Sequence, residues 1–392
     1  HACQYAPPHE FAVNVPLTLA ERRAESWRDF AWPGALAGLF DRNGLALAMA
    51  ASAGLALAVA GCATVPVTGD PAVSVYATAE TAPVGTGNED AADDPAIWLN
   101  PEDRAKSLIV GTDKKAGLHV YNLKGEDLFF LDAGLLNNVD LVTLADGTVL
   151  VAASDRTDPV NSAIALFRLD TQSARLEPLG SVASGAGEAY GLCLWTPPFT
   201  NAGDAVVAFA VLKDGTINQV RIRDDWTGRI EHTMSVPSQA EGCVVDARNF
   251  GLYVGEENGG IWRFRVSGSD PVGELVAPID NRMLVADVEG LALLPEGHRG
   301  GYLIASSQGD NAYAVFRLPG MEPVGRFRIA QGAVGATEET DGIDLHAGSF
   351  GPDYPAGLFV AQDGINPPYA QNFKLVSWAA ILEALETSPK AD

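Results

Sequence analysis

A pattern that recurs six times limits this chain more than any single motif does. A polar residue opens a short apolar stretch in DDPAIW (93–98), NNVDLV (137–142), EAYGLCLW (188–195), AEGCVVD (240–246), DVEGLAL (287–293) and TDGIDL (340–345). Taking the acid in each as Asp94, Asp140, Glu188, Glu241, Glu289 and Asp341, the steps are 46, 48, 53, 48 and 52 residues. After each comes an apolar run ending in a polar cluster, then an alternating run. Examples are LIVGTDKKAGLHVYNL (108–123), VVAFAVLKDGTINQVRI (206–222) and GLYVGEENGGIWRFRV (251–266). Alternation of period two marks strands with one buried face. A unit of about fifty residues with three or four short strands has the size of one propeller blade. The pattern therefore predicts an all-β fold, a six-bladed β-propeller, whose closure leaves no long free sheet edge.

Composition agrees. The 41 glycines and 24 prolines favour turns over helices, and helical periodicity is confined to WAAILEALE (378–386). Formal net charge is −24, and residues 1–61 carry only 5 acids and 4 bases, so the excess belongs to the globular part. Such a surface excludes nucleic acid as a partner, because phosphate backbones need basic contacts. Six histidines and four cysteines without CxxC spacing supply a zinc site poorly. Cys193 and Cys243 either pair or serve as small buried hydrophobes, and their spacing leaves both open.

The stretch DRNGLALAMAASAGLALAVAGC (41–62) joins a basic residue, an uncharged run and small residues before Cys62. That order resembles a bacterial lipoprotein signal, with Cys62 as the lipidated first residue of an exported protein that is extracellular, at the cell surface or outer membrane, or in the periplasm. The expected division is 1–61 preface and signal, outside the mature protein, then 62–88 tether, 89–382 propeller and 383–392 tail. A closed ring of this kind is expected to be a monomer.

In a propeller, equivalent positions of the blades lie at one end of the ring. Asp93, Asp94, Asp140, Glu188, Glu241, Glu289 and Asp341 are thus expected to converge at the channel mouth, with Asp287 on the same strand face as Glu289. Carboxylates this close cannot all ionise without counter-cations. Many oxygen ligands and few histidines point to several calcium ions. The polar clusters add a second charge. Lys114, Lys115, Arg156 and Lys213 fall there in blades one to three, whereas blades four to six have Glu256 and Glu257, Gln308 and Asp310, and Gln362 and Asp363. A cationic arc facing an anionic one suits metal together with phosphate.

The ordered segments DAADDPAIW, TDKKAGLHVYNLKG, LLNNVDL, EGCVVD, GLYVGEENGGIWRF, DVEGLAL, SSQGDNAYAVF, ETDGIDL, GLFVAQDG and NFKLVSW resemble the β-propeller phytases from about residue 75 to 380. The resemblance implies a calcium-dependent phosphomonoesterase of 3-phytase type, which hydrolyses phytate (myo-inositol hexakisphosphate) to lower inositol phosphates. By position it implies Asp94, Tyr190, Glu241, Glu257, Asp287, Glu289 and Asp341 as calcium-site residues, to which the acidic ring adds Asp93 and the anionic arc adds Asp363. It implies Lys114, Lys115, Arg156 and Lys213 as phosphate contacts in two neighbouring subsites. Glu241, Glu257, Asp287, Glu289, Lys114 and Arg156 are the candidate catalytic residues. One departure stands out: Gly335 occupies a place where an aspartate for a stabilising calcium is expected, with Glu338 or Glu339 as substitutes.

The expected chemistry is direct attack by a calcium-activated water, in line with the leaving inositol oxygen, without a phosphoenzyme. No histidine sits in an RHG motif and no HCx5R motif occurs, which removes two covalent phosphatase mechanisms. The rivals are a calcium-dependent lactonase-like propeller and a non-enzymatic binding propeller at the cell surface. Both need the acidic ring but not the four cations.

Overall fold

The computed structural model describes residues 67–387, apart from 88–89, 199–202 and 269–270. The preface, the signal segment and Cys62 lie outside these residues. Two short strands come first, β1 (Val73–Tyr76) and β2 (Ala79–Glu80). Six sheets follow in chain order. Blade one is β3 (Ala92–Trp98), β4 (Leu108–Asp113), β5 (Gly117–Asn122) and β6 (Asp127–Asp132). Blade two is β7 (Leu136–Thr143), β8 (Val149–Asp155), β9 (Asn161–Asp170) and β10 (Arg175–Ala186). Blade three is β11 (Ala189–Trp195), β12 (Asp204–Leu212), β13 (Thr216–Arg223) and β14 (Gly228–Ser235). Blade four is β15 (Ala240–Asp246), β16 (Gly251–Glu256), β17 (Gly260–Arg265) and β18 (Gly273–Pro278). Blade five is β19 (Val288–Glu296), β20 (Gly300–Ser307), β21 (Ala312–Leu318) and β22 (Glu322–Ala330). Blade six has β23 (Ile343–Ala347), β24 (Gly357–Asp363) and β25 (Asn372–Ser377), and the helix α1 (Trp378–Thr387) ends the described chain.

The six-bladed propeller is thus as the repeats predict, but the tether boundary at 62–88 is not. Strand β2 pairs antiparallel with β25 as the fourth strand of blade six, and β1 pairs parallel with β22 as a fifth strand of blade five. Residues 73–80 therefore close the ring. They are too short to read as strands from periodicity, and only β25 and β22 give their backbone groups partners. The expected tail also begins inside an element, since α1 buries Trp378 and Ile381 against the cores of blades five and six. No helix among the described residues is long and apolar enough to cross a membrane.

The inner strands explain why a polar residue before glycine recurs. A Cβ on Gly242 would lie 2.3 Å from Glu289 O, and one on Gly290 would lie 2.5 Å from Asp341 O. Gly290 N donates to Asp341 O at 2.7 Å, and Gly342 N donates to Asp93 O at 2.9 Å. Neighbouring inner strands approach this closely only where a side chain is missing. Cys193 and Cys243, left open by the sequence, are joined in a disulfide linking β11 to β15.

Candidate functional site

Five of the six inner strands carry a bulge at their first residues, between Ala92 and Pro95, Leu136 and Val139, Ala189 and Gly191, Ala240 and Cys243, and Val288 and Leu291. A bulge re-aims the side chains beside it. Strand register and the glycine contacts then make Asp93, Asn137, Tyr190, Glu241, Glu289 and Asp341 the equivalent set. Asp94, Asp140 and Glu188 are therefore out of register with Glu241 in blades one to three, because the acid near each motif start there is not the residue the bulge re-aims.

The displaced acids do other work. Asp94 Oδ2 accepts from Val139 N at 3.1 Å, and Asp140 accepts from Leu194 N at 2.7 Å and Leu141 N at 2.6 Å. Asp344 accepts from Ile97 N at 2.8 Å. Each carboxylate satisfies a backbone donor on the next blade's inner strand. Asp94, Asp140 and Asp344 line a separate cavity of about 60 Å³. Burial raises the Asp94 carboxyl well above its ordinary value and pushes Asp140 up to about 7. Glu188 is half-buried, 3.9 Å from Lys213 Nζ.

At the mouth is a polar cavity of about 280 Å³ whose lining includes Lys114, Tyr190, Glu257, Asp287, Glu289 and Asp341. Glu241, Glu257 and Glu289 each direct a carboxylate oxygen so that all three lie within 4.8 Å of one another. Burial, with Asp93 and Glu289 as neighbours, raises Glu241 well above the usual carboxylate range; burial and Asp341 do the same to Glu289. Burial also raises Glu257 and Asp287 and pushes Asp341 up to about 8. Glu289 Oε2 is buried without a hydrogen-bond partner among the described residues. An all-oxygen set with an orphaned acceptor fits a hard cation.

The cationic side differs from a simple arc. Lys114 is buried within the acids, its Nζ 2.8 Å from Asp90, 2.9 Å from Asp93 and 3.1 Å from Asp341. Burial works against its ammonium, but Asp93, Asp341 and Asp90 hold its pKa above the ordinary lysine value. Arg156 is half-buried and donates to Asn137 Oδ1 at 2.8 Å. Lys213 Nζ lies 5.3 Å from the Tyr190 ring centroid, and Lys115 is exposed. Burial and the acids around it raise the Tyr190 phenol, which therefore keeps its proton. Gln239 Nε2 donates to Glu257 Oε1 at 2.6 Å and to Tyr190 Oη at 3.3 Å.

Four polar-cluster residues are not at the mouth. Glu256 accepts from Ser238 and Trp262, and Asp310 is paired with Arg326. Gln362 serves the backbone, donating to Ala92 O and accepting from Asp341 N. Asp363, expected as a metal ligand, is engaged by the chain itself: Lys374 Nζ lies 3.0 Å from its Oδ2, while Glu338 N and Ile365 N donate to Oδ1. Lys374 is fully buried and also meets Glu80 Oε2 at 2.5 Å and Asn372 Oδ1 at 2.8 Å. A lysine ammonium thus supplies the positive charge that a metal was expected to bring there. A Cβ on Gly335 would lie 2.9 Å from that nitrogen, so a larger residue there presses on Lys374.

Asn137, Asp90 and Gln239 have no signal of their own in the sequence, whereas Gln308, from its polar cluster, and Glu339 do, and both reach the mouth. Asn137 stands in NNVDLV and is recoverable once the bulge fixes the register. Asp90 and Gln239 reach the mouth from loops or strand ends where no periodicity applies.

The phytase family model matches residues 43–392. A 3-phytase of Bacillus subtilis (strain 168) is 37% identical over 334 residues, covering 80% of this chain and 86% of that protein. A 50-residue stretch is 50% identical to citrate utilization protein B of Escherichia coli, 13% of each chain. Among solved structures, a chain of a mitotic checkpoint complex aligns with TM-score 0.45 and 13% identity, covering 81% of this chain and 82% of that one.

Proposed function

This chain belongs to the phytase family and hydrolyses the phosphoric monoesters of phytate, and on that premise we propose that calcium bound by the mouth carboxylates completes the site. The observation that carries this reading is the trio Glu241, Glu257 and Glu289 with its orphaned Glu289 oxygen. Asp287, Asp341 and Asp93 extend the donor set. When bound, calcium supplies charge that neutralises phosphoryl oxygens and makes water more acidic. The chain's own residues do the rest. Arg156, Lys213 and Lys115 hold phosphate groups, Arg156 through its forked N–H donors. Lys114 offsets Asp90, Asp93 and Asp341, so that a polyanion is not repelled from the mouth. Tyr190, a neutral phenol, can donate a hydrogen bond to an incoming phosphate. Gln239 fixes Glu257, and a carboxylate held at the mouth is placed to take a proton from the attacking water. The new bond joins water oxygen to phosphorus; the bond broken joins phosphorus to the inositol oxygen, which leaves as the alcohol.

The test is phosphate release from phytate by the purified protein, with calcium and after EGTA. We expect EGTA to abolish release and calcium to restore it. Release that persists in EGTA at full rate would remove calcium from the reaction. We further propose that the mature protein is an exported, lipid-anchored monomer. The 41–62 pattern supports export, as does the Cys193–Cys243 disulfide, a bond that persists in oxidising compartments. Labelled fatty acid incorporated by the native protein and not by Cys62→Ala would support the anchor; equal labelling would refute it.

A further inference from the structure

Of the six equivalent side chains at the channel mouth, Asn137 alone is an amide, and it is fully buried. Its nitrogen donates to Asp93 Oδ2 at 3.0 Å and to Glu241 Oε1 at 2.8 Å, while its oxygen accepts from Arg156 Nη1 at 2.8 Å. Chemistry fixes this orientation, since the reverse would aim the amide oxygen at two carboxylates and the NH₂ at a guanidinium. Arg156 is also held through its main chain, its N donating to Leu135 O at 3.0 Å. A carboxylate in place of Asn137 would pair with the guanidinium and cancel its charge. An apolar residue would leave Arg156 free to fall onto Asp93 or Glu241. The neutral amide oxygen directs the guanidinium and leaves its charge and remaining N–H donors for a ligand. We propose that Asn137 is a positioning residue for phosphate retention, which aims Arg156 at the substrate and insulates it from the acidic ring.

This rests on the reading of Arg156 as a phosphate contact, which the same experiment tests separately. The variants are Asn137→Ala, the near-isosteric Asn137→Asp, Arg156→Gln and the double variant Asn137→Ala/Arg156→Gln. Each is assayed for kcat and KM on phytate and for binding of myo-inositol hexakissulfate, which is not turned over, by calorimetry. Both Asn137 variants are expected to raise KM about tenfold and weaken hexakissulfate binding about as much, with kcat changed less than about threefold. The double variant is expected to be no worse than Arg156→Gln alone, because Asn137 acts through Arg156. Losses that multiply in the double variant, or an unchanged KM for Asn137→Asp, would overturn the inference. If Asn137→Ala does not fold, the Asp variant carries the test. An unchanged KM for Arg156→Gln would instead overturn the reading of Arg156.

Discussion

At the scale of single residues, the mouth is a set of carboxylates held together against their own repulsion. Glu289 is the sharpest case, buried among Glu241, Glu257 and Asp341 with one oxygen unpartnered. Removing that acid has opposite effects with and without metal. Glu289→Gln should raise the melting temperature of the metal-free protein, because a buried charge that must be neutralised or protonated is gone. The same change should reduce the stabilisation by calcium and lower phosphate release about 10²-fold. Scanning calorimetry with and without calcium checks the first part, and a phosphate assay checks the second. A lower metal-free melting temperature would mean that Glu289 is held by favourable contacts instead.

At the scale of elements, ring closure rests on a two-residue strand. Glu80 on β2 is the register partner of Lys374 on β25, and Lys374 bridges it to Asp363 at the end of β24. Breaking a buried ion pair by removing one partner typically costs about 3–5 kcal/mol, because the remaining charges stay buried. Lys374→Met should lower stability by about that much in urea melts, and added calcium should not restore it. Restoration by calcium would show that a metal can take the ammonium's place. The second seam is covalent. The Cys193–Cys243 bond spans 50 residues, and a loop of that length corresponds to about 4 kcal/mol of lost unfolded-state entropy. Replacing both cysteines with alanine should shift the urea midpoint accordingly while leaving KM for phytate unchanged.

At the scale of the whole molecule, acids from several blades are gathered into one site. In the unfolded chain Asp341 has its ordinary value of 3.8; in the fold it is pushed up to about 8, and Glu241 and Glu289 move in the same direction. Between about 4 and about 8 the metal-free folded protein therefore holds more protons than the unfolded chain, so its stability falls as pH rises through that window. If the mouth carboxylates bind calcium as proposed, the ion takes the place of those protons and its affinity should rise with pH over the same range. Melting temperature against pH, measured metal-free and with calcium, checks this: the metal-free curve should fall and the calcium curve should not. A flat metal-free curve would contradict it. The sequence by itself determined the number of blades, the all-β class and most residues of the mouth, because repeat spacing and strand alternation are local and survive in a one-dimensional reading. Tertiary structure alone decided three things. The bulges put Asn137, not Asp140, at the mouth, and gave Tyr190, which the repeat spacing had passed over for Glu188, the equivalent place in blade three, since a one-residue insertion re-aims a side chain without changing the hydrophobic pattern. Lys374 from β25 met Asp363 and gave it a positive charge from the chain itself, since which charge neutralises a carboxylate depends on what packs beside it. Strands β1 and β2 became part of blades five and six, since segments of four and two residues gain their order only from the edges they complete.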